Sequence, residues 1–238
     1  MAGRDALLMN SISAAIIHLF TAKIDRILSR ETVMSTHHFY EPSKGHRLKH
    51  DPLNSIVAPR PIGWISTQSE DGKANLAPYS FFNLFNYDPP IIGFSSQGLK
   101  DSVTNARSTR EFVWNLVTRE LAEAMNVSSA TVPADVDEFV LAGLEKAPSN
   151  MVAPSRVAAS PVQFECRVTQ IIQLKGKADE ALEQWLVLGE AVGIHIGHGL
   201  IDDGVYRTCT ARPIMRGGGL GDYFDVTEDR LFHMFRPA

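Results

Sequence analysis

The sequence predicts a mainly β fold built from antiparallel strands arranged as a barrel or a sandwich. From residue 60 onward, short apolar runs alternate with turn signals, which is typical of such folds. Helical periodicity is limited to a few short segments. The sequence lacks the regular strand–helix–strand alternation of a doubly wound sheet, so that fold is disfavoured. The 238 residues, of which 44% are hydrophobic, suffice for one barrel with a sizeable core.

The strands are predicted from β-branched and aromatic content between turn signals. The Asp71-Gly72 pair is a strong hairpin signal between the first two strands, and Pro89-Pro90 opens the third. The polar link Lys175–Gln184 joins the last two strands, and we expect it to form a loop with a helical turn. The predicted strands are Ile62–Thr67, Asn75–Ser80, Ile91–Ser95, Glu111–Val117, Val162–Leu174 and Leu186–Ile196.

Three short helices are expected at the periphery of these strands. Asp101–Ser108 begins with residue types that favour a helix N-terminus. Arg119–Ser128 and Val136–Leu144 carry apolar residues at helical spacing. Because each segment is short, the strands dominate the predicted fold.

Residues 1–33 form an N-terminal extension whose composition differs from that of the domain predicted over residues 34–238. The apolar residues of the extension recur at helical spacing, which predicts one amphipathic helix. Its apolar stretch Ile12–Phe20 is shorter than the roughly 20 residues of a membrane span, and Asp5 weakens the basic region of a secretory signal. Two interpretations stay open: the helix packs on the body or on a second subunit, or the native start is Met34.

Composition and missing motifs exclude several functional classes. The 23 Lys and Arg and 27 Asp and Glu give a net charge of −4, which offers no basic surface for nucleic acid or an anionic membrane. Cys166 and Cys209 cannot form a disulfide framework, so we expect a reducing, cytoplasmic location. The sequence contains no dinucleotide fingerprint, P-loop, nucleophile elbow or zinc-protease motif. His195 and His198 have no third ligand nearby in sequence, so no metal is expected.

Polar residues at predicted strand ends indicate an anion site. Lys100 supplies a positive charge, and the N–H groups at the start of the helix that follows it are suited to a phosphate. Ser66, Thr67 and Ser102 offer hydroxyl donors.

A flat apolar slot is predicted beside the anion site. Ser80 and Asn83 flank Phe81 and Phe82, so polar groups can bind the edge of a heteroaromatic ring while an aromatic side chain covers its face. Taken alone, the two phenylalanines would be assigned to the core. Their polar neighbours make them candidates for ligand contact.

Several motifs follow one another in the order found in a known family. They are RPIGWIST, NLAPYSFFN, YDPPIIGFSS, KDSVTN, DEFVLAGL, SPVQFECRV, LVLGEAVGIHI and RGGGLGDYF. In this order they resemble the flavin reductase-like family of FMN-binding split barrels, in particular the branch that includes the reductase component of nitrilotriacetate monooxygenase. The resemblance extends from Asp51 to Phe224. It implies a six-stranded antiparallel split barrel with a few short peripheral α-helices, which binds FMN noncovalently and forms a homodimer.

The resemblance also implies roles for individual residues. Ser66 and Thr67 would contact the phosphate or the ribityl chain of FMN, and Lys100, Ser102 and Asn105 would hold the phosphate. The residues that would line the isoalloxazine ring are Ser80, Phe81, Phe82 and Asn83.

Four further residues are candidates for the nicotinamide pocket. Glu190 and His195 lie on the LVLGEAVGIHI strand, and Arg216 and Tyr223 lie in the RGGGLGDYF motif, which would touch ligand or the dimer partner. Structural alternatives stay open at these positions. His195 can be a structural histidine, Glu190 an ion-pair partner, and the glycine run a flexible turn.

The activity implied by the resemblance is that of an NAD(P)H-dependent flavin reductase, in which hydride passes from nicotinamide to the flavin N5 atom. Such a transfer needs no acid–base residue, so no catalytic residue is assigned. Two alternatives are a flavoredoxin-like electron carrier with tightly bound FMN and a noncatalytic flavin-binding or interaction protein. A flavin-dependent monooxygenase is the expected partner of a reductase. The sequence does not indicate whether NADH or NADPH is the donor.

Overall fold

The computed structural model describes residues 36–237 of the chain. These residues fall into two compact units on either side of the Asp51–Pro52 bond. The described part of the first unit contains a 3-10 turn at Pro42–Lys44. The predicted amphipathic helix at residues 1–33 lies outside the described residues.

The second unit contains the strands and helices that build the barrel. Its helices, in chain order, are α1 (Leu53–Ile56), α2 (Asp101–Thr109), α3 (Ala122–Val127) and α4 (Glu138–Leu141). Its strands are β1 (Arg60–Pro61), β2 (Gly63–Gln68), β3 (Ala74–Tyr79), β4 (Phe82–Asn86), β5 (Ile91–Gln97), β6 (Glu111–Asn115), β7 (Lys146–Ala147), β8 (Arg156–Val157), β9 (Val162–Lys175), β10 (Ala181–Ile196), β11 (Ile201–Asp202), β12 (Val205–Tyr206), β13 (Ile214–Gly218) and β14 (Asp222–Asp225). Further 3-10 turns lie at Arg119–Leu121, His198–Leu200, Thr208–Ala211 and Glu228–Arg230.

One antiparallel sheet dominates the second unit. Its strand order is β3-β2-β6-β9-β10-β5-β4, so β3 and β4 are its two edges. The sheet curls, so that the Tyr79 ring at the end of β3 packs against the Phe94 ring of β5, with 4.8 Å between the ring centroids. Phe82 of β4 likewise stacks on Trp114 of β6 at 5.4 Å. The inner face of the curled sheet therefore encloses an aromatic core, and the two edges leave the barrel split.

The predicted mainly β split barrel is confirmed, but its strand count is corrected. Within residues 36–237 the main sheet has seven strands rather than six. The additional strand is β4, which pairs with β5 in a register that sets Phe82 opposite Phe94 and Asn83 opposite Gly93. Its exposed asparagines, Asn83 and Asn86, interrupt the apolar alternation by which strands are recognised in a sequence.

A second core covers the opposite face of β2 and β3. Trp64 and Leu76 on these strands pack with Met125 of α3 and Phe139 of α4. Trp64 is fully buried, and its indole N–H donates a hydrogen bond to Ser128 Oγ at 2.9 Å. The short helices thus form a layer that fixes the segment after α3 against the barrel.

A small three-stranded sheet adjoins the barrel in the order β1-β13-β14. The glycine run 217–221 forms the end of β13 and the turn into β14. Gly218 has a φ of 106°, and a Cβ there would lie 2.7 Å from Asn54 O and from Ser55 Cα. Glycine is required at this position because the backbone is left-handed and α1 lies close by.

Two predicted segments differ from the structure. The Lys175–Gln184 link contains no helical turn: Asp179 N–H donates to Gly176 O at 3.0 Å, which closes a tight turn between β9 and β10. The helix predicted at Arg119–Ser128 is divided into a 3-10 turn and α3. Within residues 36–237, the other predicted strands and helices occur with boundaries shifted by a few residues.

Candidate functional site

Two adjoining hollows lie along the outer side of β3, with Pro78 and Ser129 as shared walls. One, of about 260 Å³, lies at the start of α2 and is lined by Lys100 and Ser102. The other, of about 150 Å³, is lined by Ser80, Arg216 and Tyr223. We call the two hollows together the β3 groove. They bring together five of the residues predicted for ligand binding.

The start of α2 gives the groove a positive end. The helix begins at Asp101, directly after Lys100, and no described side chain caps its N-terminus. Val103 N–H already donates to Lys100 O at 3.0 Å. The N–H groups of Asp101 and Ser102 therefore remain available to an anion, and the helix dipole favours negative charge at this place. Lys100 is exposed, so its ammonium group can reach a phosphate in the groove.

Two carboxylates also line this hollow, those of Asp101 and Glu138. Glu138 Oε2 accepts a hydrogen bond from Leu76 N–H at 3.0 Å. Burial raises the pKa of Glu138, and the nearby Asp101 charge raises it further. An anion is therefore favoured beside Lys100, away from Glu138.

A buried hydrogen-bond network lies behind the groove and fixes α2 to β2 and β3. Asn75 Nδ2 donates to Thr67 Oγ1 at 3.1 Å and to Ser102 Oγ at 2.9 Å. Asn105 Nδ2 also donates to Thr67 Oγ1, at 3.2 Å. Ser66 Oγ donates to Ser155 O at 2.5 Å on another side of β2. The structure therefore places Thr67 and Asn105 behind the groove, where they position its walls, and it places Ser66 outside this network.

Two arginines, Arg60 and Arg216, lie at the opposite end of the groove. They are paired with each other across strands β1 and β13. The Arg216 guanidinium lies over the Tyr223 ring, 5.0 Å from its centroid, and donates to Asp222 O at 2.8 Å. Arg60 Nε donates to Ser80 O at 3.2 Å. Burial lowers the pKa of Arg60, and the Arg216 charge lowers it further. Two neighbouring positive charges make this end attractive to polar or anionic ligand atoms.

The residues that follow β3 lie partly at the surface and partly in the core. Ser80 lines the groove, whereas Phe81 is 50% exposed and lies beside the Arg60 guanidinium. Phe82 stacks on Trp114 inside the barrel. Asn83 is exposed, and its Oδ1 accepts the N–H of Leu84 at 2.9 Å. Of this predicted segment, the structure thus brings only Ser80 into the β3 groove.

Glu190 and His195 lie on β10, away from the groove-lining residues. Glu190 is half-buried and lies opposite Ile91 of β5. His195 Nε2 is 2.5 Å from Oε1 of Glu165, which is fully buried. His195 lines a separate hollow of about 570 Å³ together with Arg156. The structure does not bring these two residues together with Lys100 and Ser80.

The wall of the β3 groove that faces α2 was not predicted from the sequence. Ser129 and Thr131 line the hollow opposite Lys100, in the segment that follows α3. The available signal was the hydroxyl-rich run Ser128-Ser129-Ala130-Thr131 after a predicted helix. Ser129 Oγ already donates to Asn126 O at 2.6 Å and can still accept a hydrogen bond, so Thr131 supplies the hydroxyl donor of this wall.

The described residues show neither a metal site nor a membrane helix. Between residues 36 and 237, no three His, Cys, Asp or Glu side chains gather closely enough to hold a metal ion. In the same part of the chain, no helix combines the length and the apolar character needed to cross a membrane.

Known proteins are similar to this chain in both sequence and fold. The profile of the family described as flavin reductase like domain matches residues 56–213, more than half of the chain. An uncharacterised protein from Aquifex aeolicus is 36% identical over 170 residues, which cover 69% of this chain and 83% of that protein.

Two solved structures share the fold over most of their length. Nitrilotriacetate monooxygenase component B from Bacillus cereus superposes with a TM-score of 0.74 at 26% identity, covering 85% of this chain and 100% of that chain. The 2-nitrobenzoate 2-nitroreductase NbaA from Pseudomonas fluorescens gives a TM-score of 0.72 at 27% identity, covering 84% and 96%.

Proposed function

The chain belongs to the flavin reductase like domain family, and from this premise we propose that it is an FMN-binding oxidoreductase that uses NADH or NADPH to reduce flavin. The observation that carries the proposal is the β3 groove. It joins a phosphate-type site at Lys100 and α2 to a polar end at Ser80, Arg216 and Tyr223. A flavin mononucleotide has the matching chemistry, with a phosphate at one end and a hydrogen-bonding ring at the other.

The donor set of the groove fits this cofactor. Lys100, the first N–H groups of α2 and the hydroxyls of Ser102 and Thr131 would hold the phosphate. Ser129 Oγ, whose hydrogen already bonds to Asn126 O, would accept from a hydroxyl of the ribityl chain. Ser80 and Arg216 would bind the polar edge of the ring. The network behind the groove would act by positioning, because its amide donors already bond to Thr67 and Ser102.

Bound flavin would supply the hydride acceptor, at N5, for a reduced nicotinamide. The protein's own part is to align the two rings and to exclude water from the contact. No side chain needs to move a proton in that role, so binding residues, not an acid–base pair, would determine the rate.

The names of two similar structures support a proposal for the acceptor of the electrons of reduced flavin. One is a component of a monooxygenase, and the other is a nitroreductase. Both names describe proteins that take part in oxidation–reduction. We infer that this chain delivers reducing equivalents to a second acceptor, with a flavin-dependent monooxygenase as the leading partner.

Absorbance spectroscopy of the purified chain tests the function. A mixture of protein and FMN is treated anaerobically with NADH or NADPH, and the flavin absorbance should bleach faster than in the same mixture without protein. Bound FMN that reacts with neither nicotinamide would reject the reductase activity in favour of a noncatalytic flavin-binding protein. Retention of FMN through gel filtration would favour a flavoredoxin-like carrier over a reductase that releases its flavin.

Lys100→Glu tests where the phosphate binds. The substitution replaces an attraction by a repulsion, so the Kd for FMN in a fluorescence titration should rise at least about tenfold. Lys177→Glu is the matched control, since it makes the same charge change in the turn between β9 and β10. Equal FMN affinity of wild type and Lys100→Glu would show that the phosphate lies elsewhere.

A further inference from the structure

Two guanidinium groups without a counter-ion lie at the smaller hollow of the β3 groove. Arg216 lines this hollow, and Arg60 lies opposite it in the pairing of β1 with β13. Among residues 36–237, the arginines that form ion pairs with carboxylates are others, namely Arg207, Arg212 and Arg230. No carboxylate of the described chain lines the hollow either. Two like charges held together in this way favour an anionic group as the ligand.

Backbone carbonyl groups fix the position of Arg216 and leave part of its guanidinium group free. Three of its five N–H groups donate to the carbonyl oxygens of Gly218, Gly219 and Asp222. The other two N–H groups find no acceptor within the part of the chain that the structure describes. The Tyr223 ring lies 5.0 Å from the guanidinium carbon and restricts its movement. The positive charge is therefore held at the wall of the hollow without being neutralised.

Arg60 adds the second charge and fixes the backbone of Ser80. Its Nε donates to Ser80 O at 3.2 Å, and its Nη1 donates to Asn54 O at 2.6 Å. Burial lowers the pKa of Arg60, and the Arg216 charge lowers it further, so the two guanidinium groups interact electrostatically. A negative charge placed in this hollow would relieve their repulsion.

Reduction of the proposed FMN creates such a negative charge. A hydride that binds at N5 brings two electrons and one proton, so the ring gains one negative charge, which N1 and the C2 oxygen share until a second proton binds. These two atoms belong to the polar edge of the ring, which is the edge assigned above to Ser80 and Arg216. We propose that Arg216, supported by Arg60, stabilises the negative charge of the reduced ring and thereby raises the reduction potential of bound FMN. This role rests on the proposed function and deepens it.

The midpoint potential of FMN bound to the full chain, with protein in excess, tests the charge without any nicotinamide. It is measured by equilibration with a reference dye during anaerobic reduction. Arg216→Gln should weaken the binding of reduced FMN relative to oxidised FMN at least about tenfold, which lowers the two-electron potential by about 30 mV or more. Arg216→Lys keeps the charge, so its potential should stay close to that of wild type.

Arg207→Gln is the matched control, because it removes an arginine charge that Asp202 already neutralises, next to the separate β11–β12 hairpin. Its potential should equal that of wild type. Circular dichroism should show that all three variants are folded. An equal drop in Arg216→Gln and Arg216→Lys would show that the bonds of Arg216 to the hairpin matter and its charge does not, which would overturn the proposal.

The pH dependence of the same potential tests where the negative charge lies. When N1 stays unprotonated, one proton accompanies two electrons and the potential changes by about 30 mV per pH unit, whereas two protons give about 59 mV. Wild-type protein should keep the smaller slope to a lower pH than free FMN measured in parallel. Arg216→Gln should move the change of slope towards that of free FMN. A change of slope at the same pH for free and bound FMN would overturn the proposal.

The outcomes separate this role from the reductase function. Flavin that NADH or NADPH reduces, but whose potential is the same in wild type and Arg216→Gln, would overturn the role of Arg216 and leave the reductase function intact. A potential that depends on the Arg216 charge in a chain that neither nicotinamide reduces would reject the reductase function and support the role of Arg216. A chain that binds no FMN would overturn both.

Discussion

Glu165 shows how a single buried side chain can organise one face of the barrel. Its carboxylate accepts hydrogen bonds from the N–H groups of Asn150, at 2.9 Å, and Met151, at 2.5 Å, and it faces His195. Burial acts to raise the pKa of Glu165, but the bonds from Asn150, His195 and Met151 lower it below its usual value. The ionised form is therefore favoured, and the loop that contains Asn150 and Met151 depends on it.

The link between His195 and Glu165 illustrates which part of a site the sequence can predict. The motif around His195 makes it a candidate for ligand contact, and the structural alternative is a histidine bonded within the fold. Its partner lies 30 residues away. The pairing of β9 with β10 contains a register shift between Ala191 and Gly193, and after it Gly193 lies opposite Glu165, two residues before His195. Such bulges depend on the whole sheet and leave no local signal.

Glu165→Gln should lower the free energy of unfolding by about 2 kcal/mol near pH 7, because the amide cannot accept the same charge-assisted bonds. Since the pKa of Glu165 is lowered on folding from 4.5, its ionisation stabilises the fold above that value, and the stabilisation is lost as pH falls through the folded pKa. Urea unfolding of both proteins from about pH 7 down to about pH 3 should show the difference shrinking.

Glu70→Gln, in the exposed turn between β2 and β3, is the control for this substitution. It should leave the unfolding curve unchanged near pH 7. A difference between wild type and Glu165→Gln that stays constant over the whole pH range would contradict the role of the ionised carboxylate.

At the scale of elements, the barrel closes where β2 approaches β4. A Cβ at Gly63 would lie 2.7 Å from Cδ2 of Phe82, so the Phe82 ring occupies the space that a side chain on β2 would need. The same ring stacks on Trp114, with 15° between the planes. Glycine in the RPIGWIST motif therefore permits close packing between strands that are distant in sheet order.

Most strands found from the sequence share one property that the others lack. β2, β5, β6, β9 and β10 carry apolar and β-branched residues between clear turn signals, whereas β3 is found from the Asp71-Gly72 hairpin signal before it. β4 and the β13–β14 hairpin are rich in asparagine and glycine, and pairing across the fold defines them as strands. Local composition cannot encode that pairing, because it depends on neighbours distant in the chain.

Gly63→Ala tests this close approach. The added methyl group must displace the Phe82 ring, so the free energy of unfolding should fall by about 1–3 kcal/mol. Denaturant unfolding measures the loss, and Gly199→Ala is the control because a Cβ there meets nothing within 4 Å. In the double variant with Phe82→Leu, the cost of Gly63→Ala should be smaller, since the smaller side chain leaves room. Additive losses would place the strain elsewhere.

At the scale of the whole molecule, the exposed apolar surface around β4 raises the question of what covers it. Phe85 is 54% exposed, and Tyr87, just after the strand, is 87% exposed. An exposed edge strand with apolar side chains is unfavourable in water unless another surface meets it. The family resemblance implies a homodimer, and this edge is a suitable place for its interface.

We therefore expect the purified chain to be a homodimer by size-exclusion chromatography with light scattering, and Tyr87→Asp to weaken it. Tyrosine is a frequent anchor in interfaces, and a buried carboxylate in its place should raise the dimer Kd at least about tenfold. Leu220→Asp is the matched control, because Leu220 is fully exposed in the turn before β14. Circular dichroism should show that both variants remain folded. A monomeric wild type, or equal weakening by the two substitutions, would contradict an interface at β4, because only Tyr87 adjoins that edge.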